Sequence, residues 1–222
     1  MLRSKSQNFP SISPEAPWLA PLAGYSDLPF RLLCREYGCK VGCTEMISAK
    51  GLVYNSAGTR DLLKTAARET ELVVQLFGAD IICIQEAISQ LVATGFQYFD
   101  LNAGCPVRKV IKTGAGAALL KNPDMLLSIM QTMLDIAGKR NVGIKMRPGW
   151  HCQDSIYLDL AQDFESMGVG WISLHPRSAK QAFSGRADWD KLRILNKKTS
   201  LPVIGSGDLF TGTDALRCLQ QN

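Results

Sequence analysis

The chain of 222 residues contains only two histidines, and none of its seven cysteines forms a Cys-x-x-Cys pair. Structural zinc sites are usually built from closely spaced ligands of this kind, so the composition argues against a metal site. An odd number of cysteines scattered through apolar segments also argues against a disulfide framework and favours a reducing compartment. We therefore expect free thiols, no metal and a cytoplasmic location.

The sequence also lacks a long apolar run and a secretory leader. No segment approaches the roughly 18 consecutive apolar residues of a transmembrane helix, so we expect no membrane partner. Residues 1–16 have no apolar core of the signal-peptide kind, and their Ser and Pro content predicts a flexible lead-in. The rest, 17–222, is long enough for one α/β domain. The net charge of the chain, +5, is compatible with a polyanionic partner without requiring one.

Short apolar runs alternate with amphipathic segments through this domain. The runs predict seven strands, at 18–24, 41–46, 72–78, 98–104, 142–149, 171–177 and 201–207. Strands separated by helices indicate a parallel sheet with helices outside it. Two architectures fit: an open doubly wound sheet or a TIM (β/α)8-type barrel with about seven units present. No Gly-x-Gly-x-x-Gly opens the first helix, which weighs against a dinucleotide-binding fold.

Polar residues fall at the carboxyl end of nearly every predicted strand. They are Glu45, Gln75, Asp100, Asn102, Lys145, Arg147, His175, Arg177 and Asp208. Doubly buried strands are normally apolar to their ends, whereas a barrel carries its site on this face. The pattern therefore favours the barrel. Each residue also has a plain structural explanation, such as an ion pair between Lys145 and Asp100.

Together these side chains supply amide, ammonium and imidazole groups, which suit a planar heterocycle rich in carbonyls and ring nitrogens. A buried lysine facing a flavin ring edge would stabilise the negative charge that develops there on reduction. The last strand ends in "IGSGDLFTGTDA", and a glycine-rich corner after a late barrel strand is a candidate phosphate site.

The segment "DLNAGCPVRK" places Cys105 in a polar loop rather than in an apolar run. Arg108, Lys109 and Lys112 follow it, and nearby cations make a thiol tunable. Cys105 is therefore a candidate nucleophile or proton donor. A nucleophile needs a partner base, and none is adjacent in sequence, which favours the general acid.

Six segments, in order, resemble the motifs of the tRNA-dihydrouridine synthases, a family of FMN-dependent TIM-barrel enzymes. They are "APLAGYSDLPFR", "QLFGAD", "FDLNAGCPVRKVIKTGAGAALLKNP", "IKMRPGW", "HPRSAKQAFSGRADW" and "PVIGSGD". The resemblance runs from about Ala20 to the end of the chain. Its most specific part is the Asn-x-Gly-Cys-Pro-x-x-Lys-Val motif.

The resemblance implies that Cys105 protonates C5 of a uracil base in tRNA while reduced FMN delivers hydride to C6. NADPH would be the transient reductant, and no stable protein partner is expected. Asn102 would position cofactor or base. The implied FMN contacts are Pro21, Leu22 and Ala23 along the flavin, Gln75 and Lys145 at its ring edge, His175 against it, and Ser206, Gly207 and Asp208 at the ribityl-phosphate end.

A basic rim is expected around this pocket, because an RNA substrate brings phosphates to it. Its cations are Arg108, Lys109, Lys112, Arg177, Lys180 and Arg186. Two features depart from the family pattern. Ser206 stands where the family usually has Asn, and the sequence reaches Asn222 before an eighth strand or a C-terminal helical domain. We therefore expect an incomplete barrel that binds FMN poorly as this chain alone.

Two other functions remain open at this point. One is a flavin-dependent barrel oxidoreductase acting on a free small molecule, similar to dihydroorotate dehydrogenase, although such an enzyme has no use for a basic rim. The other is an inactive RNA-binding or assembly component.

Overall fold

A computed structural model of the protein describes residues 10–13 and 16–221. Most of the predicted lead-in, 1–16, lies outside the described residues. Within these ranges, no helix has the length and apolar character needed to cross a bilayer. The same ranges contain no cluster of His, Cys, Asp and Glu suited to a metal ion.

Eight short strands and nine helices make up the described part of the chain. The strands are β1 Trp18–Leu19, β2 Val41–Cys43, β3 Ile47–Ser48, β4 Leu72–Phe77, β5 Tyr98–Ala103, β6 Val142–Met146, β7 Ile172–Leu174 and β8 Val203–Gly205. The helices are α1 Leu28–Glu36, α2 Ala49–Val53, α3 Ala57–Asp61, α4 Ile81–Ala93, α5 Arg108–Ile111, α6 Pro123–Ala137, α7 Ile156–Met167, α8 Asp190–Lys198 and α9 Gly212–Gln221. A 3-10 helix spans Gly116–Lys121.

All strands pair in parallel, in the order β1-β2-β4-β5-β6-β7-β8, and β3 also pairs with β4. Of the second predicted strand, 41–46, only Val41–Cys43 forms, and β3 follows just beyond it along the same neighbour. Gly42 lies opposite Leu72, and Ile47 lies opposite Leu76. Thr44 marks the break, because its hydroxyl accepts the Gln75 N–H at 3.1 Å. In a regular parallel ladder, the Gln75 N–H would donate to a backbone carbonyl rather than to a side chain. The apolar pattern of the sequence gives no sign of this break.

The sheet curls into a barrel. The rings of Trp18 on β1 and Trp171 beside β7 meet edge to face with their centroids 5.4 Å apart. In a flat sheet, five strand spacings would separate β1 and β7 by roughly 24 Å. In the described part of the chain, β1 and β8 end the sheet and do not pair with each other. The predicted incomplete TIM-type barrel is confirmed, and the doubly wound alternative is wrong.

Local sequence signals account for the helix boundaries. Asp27 caps α1 by accepting the Phe30 N–H at 3.0 Å. Asn122 caps α6 and Pro123 occupies its first turn, two residue types that are typical of a helix start. The preceding residue, Ser26, is buried and braces the β1–α1 loop: its hydroxyl accepts the N–H of Leu22 at 2.9 Å.

A buried ion pair fixes the same loop from below. Arg31 and Glu69 are bonded at 2.8 Å with side chains 1% and 0% exposed. The Arg31 guanidinium also donates to the carbonyl of Ser26 at 2.9 Å. Removing one member of a buried pair leaves an uncompensated charge, so this pair ties the loop after β1 to the segment before β4.

Two apolar layers surround the sheet. Outward side chains such as Leu76, Leu101 and Ile144 form the large core beneath the helices. A smaller cluster of Val41, Cys43, Val73 and Trp171 lies apart from that core, on inward-facing strand positions. The barrel interior is thus apolar at the amino-terminal ends of the strands, which we call the base, and polar toward their carboxyl ends.

Gly143 makes room for the indole ring of Trp171 at the base of the barrel. A Cβ added there would lie 2.0 Å from Cε2 of Trp171. We expect Gly143→Ala to destabilise the protein by at least about 3 kcal/mol, because the indole has no space to move within a close-packed interior. Urea unfolding measures this. Gly58→Ala is the control: a Cβ there meets nothing within 4 Å. Equal stability of the two variants would contradict the packing argument.

Candidate active site

Strand register gathers the predicted polar residues on the inner face of the barrel. Gln75 lies opposite Asp100, and Asn102 lies opposite Lys145. Alternate residues of a strand share a face, so Asp100 and Asn102 project together. Because neighbouring parallel strands end at the same edge, all four side chains lie near one mouth.

Three of these side chains form a continuous hydrogen-bonded series, which we call the amide chain. Gln75 Nε2 donates to Asp100 Oδ2 at 2.7 Å. Asn102 Nδ2 donates to Gln75 Oε1 at 2.9 Å. The second oxygen of Asp100 accepts from Trp171 Nε1 at 3.2 Å. Burial raises the pKa of Asp100 to about 6, against the opposing effects of Gln75 and Lys145.

The amide chain ends at the loop that carries Cys105. Asn102 Oδ1 accepts the backbone N–H groups of Gly104 and Cys105 at 3.1 and 2.9 Å. The Cys105 carbonyl accepts the N–H of Ala117 at 3.0 Å. Gly116 has φ +63°, and a Cβ there would lie 2.6 Å from the Cys105 carbonyl oxygen. The loop is therefore held from both sides, and Cys105 itself is half-buried.

Lys145 and Ser206 meet across the barrel. Lys145 Nζ donates to Ser206 Oγ at 3.4 Å, so the ion pair with Asp100 considered from the sequence is not the contact that forms. Burial lowers the pKa of Lys145, while the charges of Asp100 and Cys105 act in the opposite direction. A partly desolvated ammonium thus lies close enough to Cys105 to interact with it electrostatically.

His175 follows β7 and packs against Gly207. A Cβ at Gly207, whose φ is +98°, would lie 2.8 Å from His175 Nε2. The His175 backbone N–H donates to the Met146 carbonyl at 3.0 Å. Burial, aided by the charges of Arg147 and Lys145, lowers the pKa of His175 to about 4. The imidazole is therefore neutral at physiological pH.

Asp208 forms an ion pair with Arg177. Arg177 donates to both of its carboxylate oxygens, at 2.7 and 2.9 Å, and the Ala187 N–H donates to Oδ2 at 2.7 Å. The Ala187 N–H, followed by Arg177, holds the pKa of Asp208 below its usual range. A direct contact of Asp208 with a cofactor phosphate stays a prediction.

One member of the predicted basic rim, Arg177, does not belong to it. It is 6% exposed and its charge is paired with Asp208, so it does not belong among the solvent-facing cations. The other five predicted members are exposed on loops or on α5, and they are Arg108, Lys109, Lys112, Lys180 and Arg186.

Arg147 has a structural role that the sequence pattern does not assign to it. Its guanidinium donates to the Gly104 carbonyl at 2.8 Å and to the Ser178 and Ala182 carbonyls at 2.9 Å. It therefore joins the Cys105 loop to the loop after β7. Desolvation lowers the pKa of Arg147 to about 10, although the charge of Cys105 opposes this. Its position two residues after Lys145, just beyond the end of β6, was the available signal.

Pro21, Leu22 and Ala23 lie on the β1–α1 loop at the same end of the barrel. Leu22 is 45% exposed, Ala23 is exposed and Pro21 is half-buried. Glu45, just beyond β2, accepts the Gly24 N–H at 2.5 Å. The loop thus offers an apolar surface at the mouth and is anchored to the neighbouring strand.

These features define a parallel β/α barrel, incomplete in the described residues, with a polar site at the carboxyl ends of its strands. A family model described as Dihydrouridine synthase (Dus) matches residues 18–222. The chain belongs to the dihydrouridine synthase family.

Similar proteins carry the same name. A probable tRNA-dihydrouridine synthase of Treponema pallidum is 34% identical over 212 residues, covering 91% of this chain and 62% of that protein. tRNA-dihydrouridine synthase B of Salmonella typhimurium is 34% identical over 208 residues, covering 89% of this chain and 64% of that protein. The chain thus spans less than two thirds of the length of these relatives.

Solved structures of similar fold are more distant in sequence. Morphinone reductase in complex with tetrahydroNAD has a TM-score of 0.62 at 12% identity, covering 93% of this chain and 80% of that one. The old yellow enzyme homologue of Zymomonas mobilis has a TM-score of 0.61 at 13% identity, covering 91% and 81%. At this identity the likeness concerns the fold alone.

The low pKa of His175 predicts a pH dependence of stability. Between about pH 6.5 and pH 4 the unfolded chain takes up a proton that the folded imidazole refuses, so stability falls as pH falls. Between about pH 7 and pH 4.5 this amounts to about 2 kcal/mol. The free energy of unfolding, measured with urea, should therefore fall between these two pH values by about 2 kcal/mol less in His175→Gln than in the wild type.

His151→Gln is the matched control for losing an imidazole as such. If the unfolding free energies of wild type and His175→Gln fall in parallel with pH, the folded imidazole takes up its proton as readily as the unfolded one. That outcome would contradict the prediction.

Proposed function

We propose that residues 17–222 form the FMN-binding part of a tRNA-dihydrouridine synthase, which reduces the C5=C6 bond of uridines in tRNA with NADPH as the electron donor. The observation that carries the proposal is the convergence of the Cys105 loop, the amide chain, Lys145 and His175 on one mouth of a barrel of this family. The activity of the whole protein belongs to the proposal, because the chain spans only part of its relatives.

The donor set fits a flavin. Gln75, Asn102 and Lys145 supply N–H donors, which match the carbonyl and ring-nitrogen edge of an isoalloxazine. The neutral imidazole of His175 adds no positive charge beside the ring. We assign Pro21, Leu22 and Ala23 to the lining of the flavin.

The ribityl-phosphate end belongs to the corner after β8. We assign Ser206, Gly207 and Asp208 to this end, with Asp208 acting through its ion pair with Arg177. When bound and reduced, FMN supplies the hydride that reaches C6 of the uracil. NADPH visits transiently, which agrees with the absence of a Gly-x-Gly-x-x-Gly motif.

Cys105 is assigned as the proton donor to C5. As hydride adds to C6, the S–H bond breaks, C5 gains the proton and a thiolate remains, which solvent reprotonates. Lys145 and Arg147 lie close enough to interact with that negative charge. Cys105 therefore serves as a general acid whose conjugate base is stabilised by two cations.

The exposed cations around the mouth are assigned to RNA phosphates. Arg108, Lys109 and Lys112 follow Cys105 closely along the chain, and Lys180 and Arg186 lie on the loop after β7. A uracil must leave its stack to reach a pocket at a barrel mouth, and the flanking phosphates then need positive partners. This basic rim favours tRNA over a free small molecule. We place the protein in the cytoplasm and propose no stable protein partner.

Flavin binding is the first test. We expect the protein to show a bound-flavin absorbance after reconstitution with FMN, and Lys145→Met to weaken FMN binding about tenfold through loss of a buried donor. Fluorescence titration measures both affinities. Lys180→Met, on the exposed rim, is the control and should keep wild-type affinity. A protein that stays colourless with FMN would favour the RNA-binding or assembly alternative.

Turnover tests the proton donor. We expect Cys105→Ala to lower dihydrouridine formation on an unmodified tRNA transcript by at least about 100-fold, because general acid catalysis is lost. The measurement is mass spectrometry of tRNA digests with FMN and NADPH supplied, in the longest form of the protein that turns over. Cys152→Ala, at an exposed cysteine on the loop after β6 that has no role in the proposed mechanism, is the control. Full turnover by Cys105→Ala would remove the assignment, and reduction of orotate rather than tRNA would favour the small-molecule alternative.

A further inference from the structure

The direction of every bond in the amide chain is fixed by groups at its two ends. The backbone N–H groups of Gly104 and Cys105 can only donate, so Asn102 must present its oxygen to them. Its Nδ2 then faces Gln75, which must present Oε1. Gln75 Nε2 is left to face Asp100.

The other end imposes the same requirement. Trp171 Nε1 is a donor only, and it bonds the second oxygen of Asp100 at 3.2 Å. Asp100 therefore lies between two donors. Of the side chains of this size, a carboxylate alone offers an acceptor to each of them, whereas asparagine offers one acceptor and one donor.

Water cannot take over these bonds. Gln75, Asp100 and Asn102 are 1%, 3% and 8% exposed. A buried donor facing another donor is costly, so a reversed amide at Gln75 would force Asn102 to reverse as well. The nitrogen of Asn102 would then face the N–H groups of Gly104 and Cys105, and the loop would lose both hydrogen bonds to this side chain.

We propose that Asp100 is a positioning residue whose two acceptor oxygens set the orientation of Gln75 and Asn102 and thereby hold the Cys105 loop at the mouth. The catalytic meaning of this role rests on the proposed function of Cys105, whereas the dependence of the loop on Asp100 does not. Burial raises the pKa of Asp100 to about 6, so the carboxylate is mostly ionised at neutral pH, as the two donors require.

Hydrogen exchange of the Gly104 and Cys105 amides tests the proposal directly in the whole chain without cofactor or RNA. We expect Asp100→Asn to accelerate exchange at both amides by about tenfold or more, relative to amides of α6 in the same sample. Residue-resolved exchange by NMR or by fragmentation mass spectrometry reads the two positions separately. The α6 reference removes the contribution of a general loss of stability.

A second substitution should rescue the first. When Asp100→Asn is combined with Trp171→Phe, the indole donor is gone, so the introduced amide can turn its oxygen to Gln75 while its amino group faces the phenyl ring. We expect exchange at Gly104 and Cys105 to return to within about threefold of the Trp171→Phe single variant, which carries the same packing change.

Three outcomes would overturn the proposal: unchanged exchange in Asp100→Asn, equal acceleration across α6 and the loop, or a double variant as fast as Asp100→Asn alone. The proposed function fails separately. A chain that gives the expected exchange pattern but neither binds FMN nor reduces tRNA would refute the proposed function and leave the role of Asp100 intact.

Discussion

A carboxylate buried inside the barrel is the constraint on which the mouth depends. Asp100 sits between the indole of Trp171 below and the amide of Gln75 above, and both donate to it. Without those donors the burial of a charge here would be prohibitive. The same indole occupies the space left by Gly143 and meets Trp18 across the interior. The contacts of Trp171 therefore fill the base of the barrel and also help to orient the polar side chains at its mouth.

The sequence was sufficient to predict the architecture and the face that carries the site. Parallel strands end at a common edge, so polar residues that close successive apolar runs must converge whatever their exact partners are. This is why Gln75, Asn102 and Lys145 were expected together and are found together. Helix boundaries were also readable where an isolated cap determines them, as at Asn122.

Partners across the barrel were not readable, because the sequence gives residue types along each strand and not the distances between non-neighbouring strands. Lys145 bonds Ser206 rather than Asp100. Arg177 is buried against Asp208 rather than exposed. Arg147 spans two loops whose carbonyls have no signature in a one-dimensional pattern. The break between β2 and β3 has a similar origin, since the Thr44 hydroxyl replaces a backbone acceptor.

The balance of charge around Cys105 is the last consequence of this arrangement. In the proposed reaction, Cys105 must keep its proton until hydride arrives, and its thiolate needs stabilisation afterwards. Lys145 and Arg147 supply positive charge near the thiol, and burial lowers the pKa of both. These two cations also help to keep His175 neutral, so the mouth does not gain a third positive charge. The cations thus restrain the ionisation of the neighbouring imidazole, while Arg147, with a pKa of about 10, stays charged at neutral pH.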